Sequence, residues 1–224
     1  SPLIPPFVDR NDPTVVSSNR LISVDHLPKT LIIVGGGVIG LEFATIFSNM
    51  GSQVTIVEYL DRVLATLDPE TSAEITRLME ANGVRVLTDY EVKSVAGGKV
   101  TASQRQTGET LDLAAEGVLI SIGRRPVIHA EEYTAAGVDF SKKGIEVDDY
   151  LRTSAPGVWA IGDATGKSIL AHVGIQQGIV CAENIMAVAQ NGADAPLRAM
   201  DYRVIPAVVY SIPEVAAVGT VPQD

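Results

Sequence analysis

Residues 31–34, Leu-Ile-Ile-Val, run without a polar break into Gly35-Gly36-Gly37-Val38-Ile39-Gly40-Leu41-Glu42. A short, continuous apolar run of this kind suits a strand in the middle of a parallel sheet, buried on both faces. The glycines demand a tight turn. Val38 to Met50 then fits a helix, with Val38, Ile39, Leu41, Phe43, Ile46 and Phe47 as its apolar stripe and Gly51 as its stop. A strand that turns at once into a helix points to an α/β fold.

Gly35, Gly37 and Gly40 have the G-x-G-x-x-G spacing of a dinucleotide site. Gly35 permits the sharp turn, Gly37 lets backbone approach a pyrophosphate, and Gly40 lets helix and strand pack closely. Val38 and Ile39, between the second and third of these glycines, open the helix whose free N–H groups and positive dipole end would hold that pyrophosphate. The spacing alone is weak evidence, because glycine turns are common. It gains weight from a second apolar strand, Val54 to Val57, that ends in Glu58. An acid there is placed to accept the hydroxyls of the adenosine ribose and to repel the 2′-phosphate of NADP, so NAD is the expected ligand. Arg62 is the one nearby cation that could weaken this preference. The plain alternative is an ordinary strand–helix turn followed by a surface Glu.

The formal net charge of −10 over 224 residues argues against nucleic acid as a partner. No apolar run is long enough to span a membrane, and no basic-then-hydrophobic leader is seen at the N-terminus. A cytoplasmic location is expected, or the mitochondrial matrix in a eukaryote. A first residue of Ser suggests an excised chain. One cysteine, Cys181, leaves no disulfide and no cysteine metal cluster. His26, His129 and His172 are too scattered for a metal-ligand spacing, so no metal site is expected.

Along the chain, residues 1–16 read as a proline-rich extended connector. A compact nucleotide domain over 17–123 contains strands at 31–34, 53–58 and 84–87. A helix opens at Asp68-Pro69, with the acid as cap, carries Ile75, Leu78 and Met79 inward, and ends at Asn82-Gly83. Three short segments, 91–95, 100–103 and 110–113, form an antiparallel meander, and 117–123 returns as a buried strand. Beyond Arg124-Arg125-Pro126 lie a mixed stretch at 127–141, a short strand at 144–148 and an apolar strand at 158–163. A long helix over 171–190 follows, striped by Ile175, Ile179, Ala182, Ile185 and Met186.

Four phrases occur in order: Gly-Gly-Gly-Val-Ile-Gly-Leu-Glu at 35–42, Val-Trp-Ala-Ile-Gly-Asp-Ala at 158–164, Leu170-Ala171-His172, and Tyr-Ser-Ile-Pro-Glu-Val-Ala-Ala-Val-Gly at 210–219. Together they resemble the flavoprotein pyridine nucleotide-disulfide oxidoreductases. The Leu-Ala-His form is closer to the dihydrolipoamide dehydrogenase branch than to glutathione or mercuric reductases. The resemblance implies a Rossmann-like, three-layer NAD domain (17–123) set within an FAD domain. Residues 1–16 would then be the crossing from a first FAD segment, 124–200 a second, incomplete FAD segment, and 201–224 the opening of a dimer-interface domain. It implies that Asp163 accepts from the FAD ribityl chain and that Ala171 and His172 begin a helix aimed at the flavin. It places Glu42 near the nicotinamide, paired with a lysine of the first FAD segment, and Gly123 close to NAD. It further implies a homodimer and a lipoyl-bearing partner. Read one by one, Asp163 is common turn chemistry, Glu42 a first-turn acid, and Cys181 a small core residue. Gln177 stands where that family usually has Glu.

The redox-active cysteine pair, the first glycine motif for FAD and the His-Glu dyad are absent from this chain. No residue is therefore assigned a catalytic role, and the chain alone is expected to be inactive. The alternatives are a stand-alone NAD-binding regulatory module and another flavoprotein disulfide reductase, such as a mercuric reductase relative. The apolar surface of 158–161 and of the Ile175–Ile185 face is expected to need a partner, by self-association.

Overall fold

The computed structural model describes residues 1–219; the last five residues of the expected interface segment lie outside them. The chain divides into two compact units, one of Pro2–Gly123 with the segment from Pro206, the other of Ser1 with Arg124–Ile205.

The first unit is built on five parallel strands: β1 (Val15–Ser17), β2 (Thr30–Val34), β3 (Gln53–Val57), β4 (Arg85–Leu87) and β8 (Gly117–Ile120), in the order β1-β8-β2-β3-β4. Between β1 and β2 lies a single helical turn, α1 (Ser18–Leu21). Helices α2 (Val38–Asn49) and α3 (Pro69–Ala81) connect β2 to β3 and β3 to β4. The meander strands β5 (Tyr90–Ala96), β6 (Lys99–Gln104) and β7 (Thr110–Ala114) precede β8 and pair antiparallel.

Side-chain alternation along β2 explains why its sequence is apolar throughout. Leu31 and Ile33 pack with Leu41, Phe43, Ala44 and Phe47 of α2 and Ile75 and Met79 of α3. Ile32 and Val34 face the other way, against Val92, Val95, Val100 and Ala102 of the meander. Helices, parallel sheet and meander are thus the three layers, as the resemblance implies.

Helix α3 starts where Asp68 accepts the Thr71 N–H at 2.8 Å. The Thr71 backbone and hydroxyl donors hold the Asp68 carboxyl below its ordinary value of 3.8. A group with a depressed folded pKa stabilises the fold above its unfolded pKa and stops doing so as pH falls through the folded value. Asp68→Ala should therefore lower the melting temperature by about 2–4 °C at pH 7. The difference from the parent chain should shrink as pH falls below 3.8. Thermal scans across pH 2–7 check both the size and the direction.

Several local readings change. Residues 15–17 are a strand rather than part of an extended connector, because Val15 and Val16 find a ladder partner in Val118 and Leu119. Upstream, Val8 is buried beneath the meander and bridges to Val95. The stretch 127–141 contains a short helix, α4 (Ala130–Ala135), with Glu131 and Glu132 in its first turn and no buried residue to give it a stripe. Phe140–Ser141 (β9) and Gly144–Ile145 (β10) form a two-stranded ribbon, shorter than the strand expected at 144–148.

Residues 158–163 do not form a strand. Trp159 makes an isolated bridge to Arg152, and Gly162–Thr165 winds into a 3-10 turn. The facing segment bonds at two points, Thr153 N–H to the Val158 carbonyl and Ala160 N–H to that of Leu151, where a left-handed backbone (φ 75°) departs from strand geometry.

Helix α5 (Ala171–Asn191) is the expected length but turns its other side inward. Val173, Gln177, Val180, Cys181 and Asn184 are buried, while Ile175, Ile179, Ile185 and Met186 are exposed, Ile175 by 68%. The buried polar pair is satisfied. Asn184 bonds to the Tyr150 and Arg198 carbonyls and to the Arg198 N–H, and Gln177 is bonded as described below. Near the end of the described residues lies a hairpin, β11 (Ala207–Val209) and β12 (Val215–Ala217), whose Val209 joins the core on the α2 side.

Candidate nucleotide-binding site

Strand order decides where a ligand would sit. From β2 the chain moves outward through β3 and β4, then returns to place β8 on the opposite side of β2. The strand order thus reverses between β2 and β8, and ligands in open α/β sheets bind at the carboxyl ends of the strands beside such a switch point. Gly35 follows β2, Ser121 follows β8 and Glu58 follows β3.

The glycines differ in what surrounds them. Gly35 has φ 107°, and a Cβ on it would lie 2.7 Å from the Ser121 carbonyl oxygen. A Cβ on Gly40 would lie 2.0 Å from the Gly35 carbonyl oxygen, so α2 rests directly on the turn. Gly36 is enclosed too: its Cβ would meet Val63 at 2.8 Å and the Glu58 carboxylate at 3.2 Å. Gly37 is exposed, and apart from its own neighbours along the chain nothing lies within 4 Å of its Cβ position. Three glycines make room for the protein, and one leaves room for something else.

Gly37 is the N-cap of α2, with no side-chain cap and no acid in the first turn. Val38 is exposed and Ile39 half-buried beside it. The helix dipole and first-turn N–H groups therefore point at solvent above Gly37, a ready anion site. The turn is tied down: the Ser121 hydroxyl shares its one proton between the Val34 and Gly35 carbonyls, both at 3.0 Å, and the Gly35 N–H donates to the Val57 carbonyl.

Glu58 is half-buried and oriented by the same turn. Its Oε2 accepts the Gly36 N–H at 2.5 Å and its Oε1 the Leu60 N–H at 2.7 Å. Each oxygen keeps a second lone pair, so the carboxylate is both fixed and able to accept from two hydroxyls. Arg62 is engaged elsewhere, with Asp61 at 3.3 Å and the Ala65 carbonyl at 3.4 Å. Gly36 and Ser121 were missed in the sequence. The triple glycine was the one available sign of Gly36; nothing marked Ser121.

Other expected residues lie around this centre. Glu42, on α2, accepts the Tyr210 N–H at 3.1 Å, tying the β11–β12 hairpin to the helix. Gly123 is exposed, has φ 130°, and its carbonyl accepts the Leu3 N–H.

In the second unit, Asp163 is exposed on the 3-10 turn, and Ala171 and His172 are exposed at the start of α5, which has no side-chain cap. Gln177 ties these pieces together. It is fully buried, accepts the Gly162 N–H at 2.6 Å and donates to the Tyr202 hydroxyl at 2.8 Å. Gly174 and Gly178 let α5 lie close to Gly162 and Ile161. Burial pushes the Cys181 thiol up, away from the reactive thiolate. A separate open groove of about 660 Å³, bordered by Asp139, Asp148 and Trp159, contains none of the expected site residues. Among the described residues no group of His, Cys, Asp and Glu could hold a metal, and no helix is long and apolar enough to cross a membrane.

The model of the pyridine nucleotide-disulphide oxidoreductases matches residues 8–178. The chain belongs to this family. Among sequence relatives, dihydrolipoyl dehydrogenase of Mycobacterium tuberculosis is 40% identical over 213 residues, covering 94% of the chain and 45% of the relative. That of Chlamydia pneumoniae is 37% identical over 218 residues, covering 96% and 44%. The HOCl-induced flavoprotein disulfide reductase RclA of Escherichia coli superimposes with a TM-score of 0.84 at 27% identity, over 99% of this chain and 49% of that one. LpdA of M. tuberculosis gives a TM-score of 0.80 at 30% identity, over 98% and 46%. The chain spans about half the length of the relatives it matches.

Proposed function

We propose that this chain is the NAD-binding central portion of an FAD-dependent dihydrolipoyl dehydrogenase. The intact enzyme would oxidise dihydrolipoamide and reduce NAD. The observation that carries the NAD reading is the contrast among the glycines: protein fills the space beside Gly35, Gly36 and Gly40, and only Gly37 opens outward below an uncapped helix. A pyrophosphate fits that opening and the ribose hydroxyls fit the fixed Glu58 carboxylate. NAD bound there would serve as the hydride acceptor.

On the same reading, 17–123 is the NAD domain, 1–16 and 124–200 belong to an FAD domain, and 201–224 begins a dimer-interface domain. Asp163 and the α5 start at Ala171 and His172 would hold FAD, whose flavin supplies two-electron exchange with the nicotinamide. An uncapped helix start suits the negative charge of a reduced flavin. The exposed Ile175–Met186 face of α5 supports further chain, or a second copy, packing over it. The dimer, the lipoyl-bearing partner and the cytoplasmic or matrix location follow from the same reading. With one buried thiol, this chain alone has no dithiol to exchange with a disulfide and would not turn over.

Calorimetric titration with NAD and NADP tests the site. NAD should bind at least about tenfold more tightly, because Glu58 meets the 2′-phosphate with like charge. Equal dissociation constants would contradict the assignment of Glu58.

A further inference from the structure

Arg105, at the β6–β7 turn of the meander, reaches the loop that carries Glu58. Its Nη1 donates to the Tyr59 carbonyl and to Asp89 Oδ1, both at 3.1 Å, and its guanidinium lies 4.2 Å from the centre of the Tyr59 ring. Asp89 is bound to the same loop. Its N–H donates to the Leu60 carbonyl at 2.8 Å, its carbonyl accepts the Arg105 N–H at 2.8 Å, and its Oδ2 accepts from Gln106 at 3.3 Å. Asp89 does this from a left-handed backbone, φ 62°. The side chains of Asp89 and Arg105 remain 21% and 36% exposed, so the pair sits at the surface where it can open.

A guanidinium near the acidic position is the group that accommodates the 2′-phosphate of NADP. Arg105 brings such a charge to the residue next to Glu58, then spends it on a carboxylate and an aromatic face. We propose that Asp89 is a specificity-determining residue: it holds Arg105 on Tyr59 and so withholds positive charge from the 2′ position of the adenosine ribose. This rests on the reading of Glu58 as the ribose-binding acid.

The test is titration of NAD and NADP into the chain and into Glu58→Gln, Glu58→Gln/Asp89→Gly and Glu58→Gln/Asp89→Gly/Arg105→Gln variants. Glycine accepts the left-handed backbone at 89, and Asp89→Asn, close in shape but uncharged, provides a second variant should the first not fold. Adding Asp89→Gly to Glu58→Gln should tighten NADP about fivefold and leave NAD within about twofold, the size expected for one released charge pair. Asp89→Asn should act in the same direction. The gain should vanish in the triple variant and weaken with added salt. A gain that survives loss of Arg105, or an Asp89 substitution that moves both coenzymes alike or neither, would overturn the proposal alone. Glu58→Gln leaving both dissociation constants unchanged would overturn the ribose assignment and the proposal with it.

Discussion

Gly40→Ala should remove nearly all NAD affinity, a loss of at least about a hundredfold, and destabilise its unit by about 2–4 kcal/mol. The added methyl would fall 2.0 Å from the Gly35 carbonyl oxygen, a backbone atom that cannot swing aside as a side-chain tip can. Either α2 lifts from the sheet or the Gly35 turn deforms; each disperses the N–H groups that face the ligand. Gly37→Ala makes the sharper comparison. Gly37 has φ −78°, which alanine adopts without strain, and open space where the methyl would go. That variant should melt within about 2–4 °C of the parent chain, the cost of an alanine N-cap, yet bind NAD about tenfold more weakly or worse, because the methyl occupies the line of approach of the pyrophosphate. Thermal unfolding and titration of the two variants give the comparison. A Gly37→Ala chain that keeps full affinity would place the ligand elsewhere.

Gln177→Leu should cost the second unit about 2–4 kcal/mol. Leucine fills similar volume but leaves the Gly162 N–H without its acceptor and the Tyr202 hydroxyl without its donor, at a fully buried position. The chain has one tryptophan, Trp159, which packs against Leu151, Val180 and Cys181 near this network. Its fluorescence during urea unfolding therefore reports on the second unit by itself. Gln177→Glu should keep much of the stability that the leucine variant loses, since a carboxylate can accept from both the amide and the hydroxyl. That exchange reverses the bond with Tyr202 and keeps both partners. A Leu variant that unfolds within about 0.5 kcal/mol of the parent would show the network to be dispensable.

Local chemistry with one dominant period was legible in the sequence. The β2 run, the Asp68 cap, the three meander strands and the stops at Gly51 and Gly83 depend on near neighbours, and they stand where the residues place them. What was lost depended on distant partners. Val15 and Val16 look like any two valines after a proline-rich stretch until β8 lies beside them. Helix α5 carries two apolar faces, and its sequence cannot say which one the chain itself covers; the face chosen includes Gln177 and Asn184, which pattern alone assigns to solvent. Residues 158–163 have strand composition, but a strand needs a facing ladder, and here the pairing amounts to one bridge beside a left-handed Leu151. At the candidate site, the glycine spacing and Glu58 were visible at once. Gly36, Ser121 and the Asp89–Arg105 lock were not, because each acts through a residue more than ten positions away.

The most direct measurement is a crystal structure of this chain grown in saturating NAD. The pyrophosphate should lie over Gly37, accepting from the N–H groups that open α2, and both adenosine ribose hydroxyls should donate to the Glu58 carboxylate. Coenzyme density away from that turn, or a Gly35–Gly40 cradle left empty at saturation, would contradict the account.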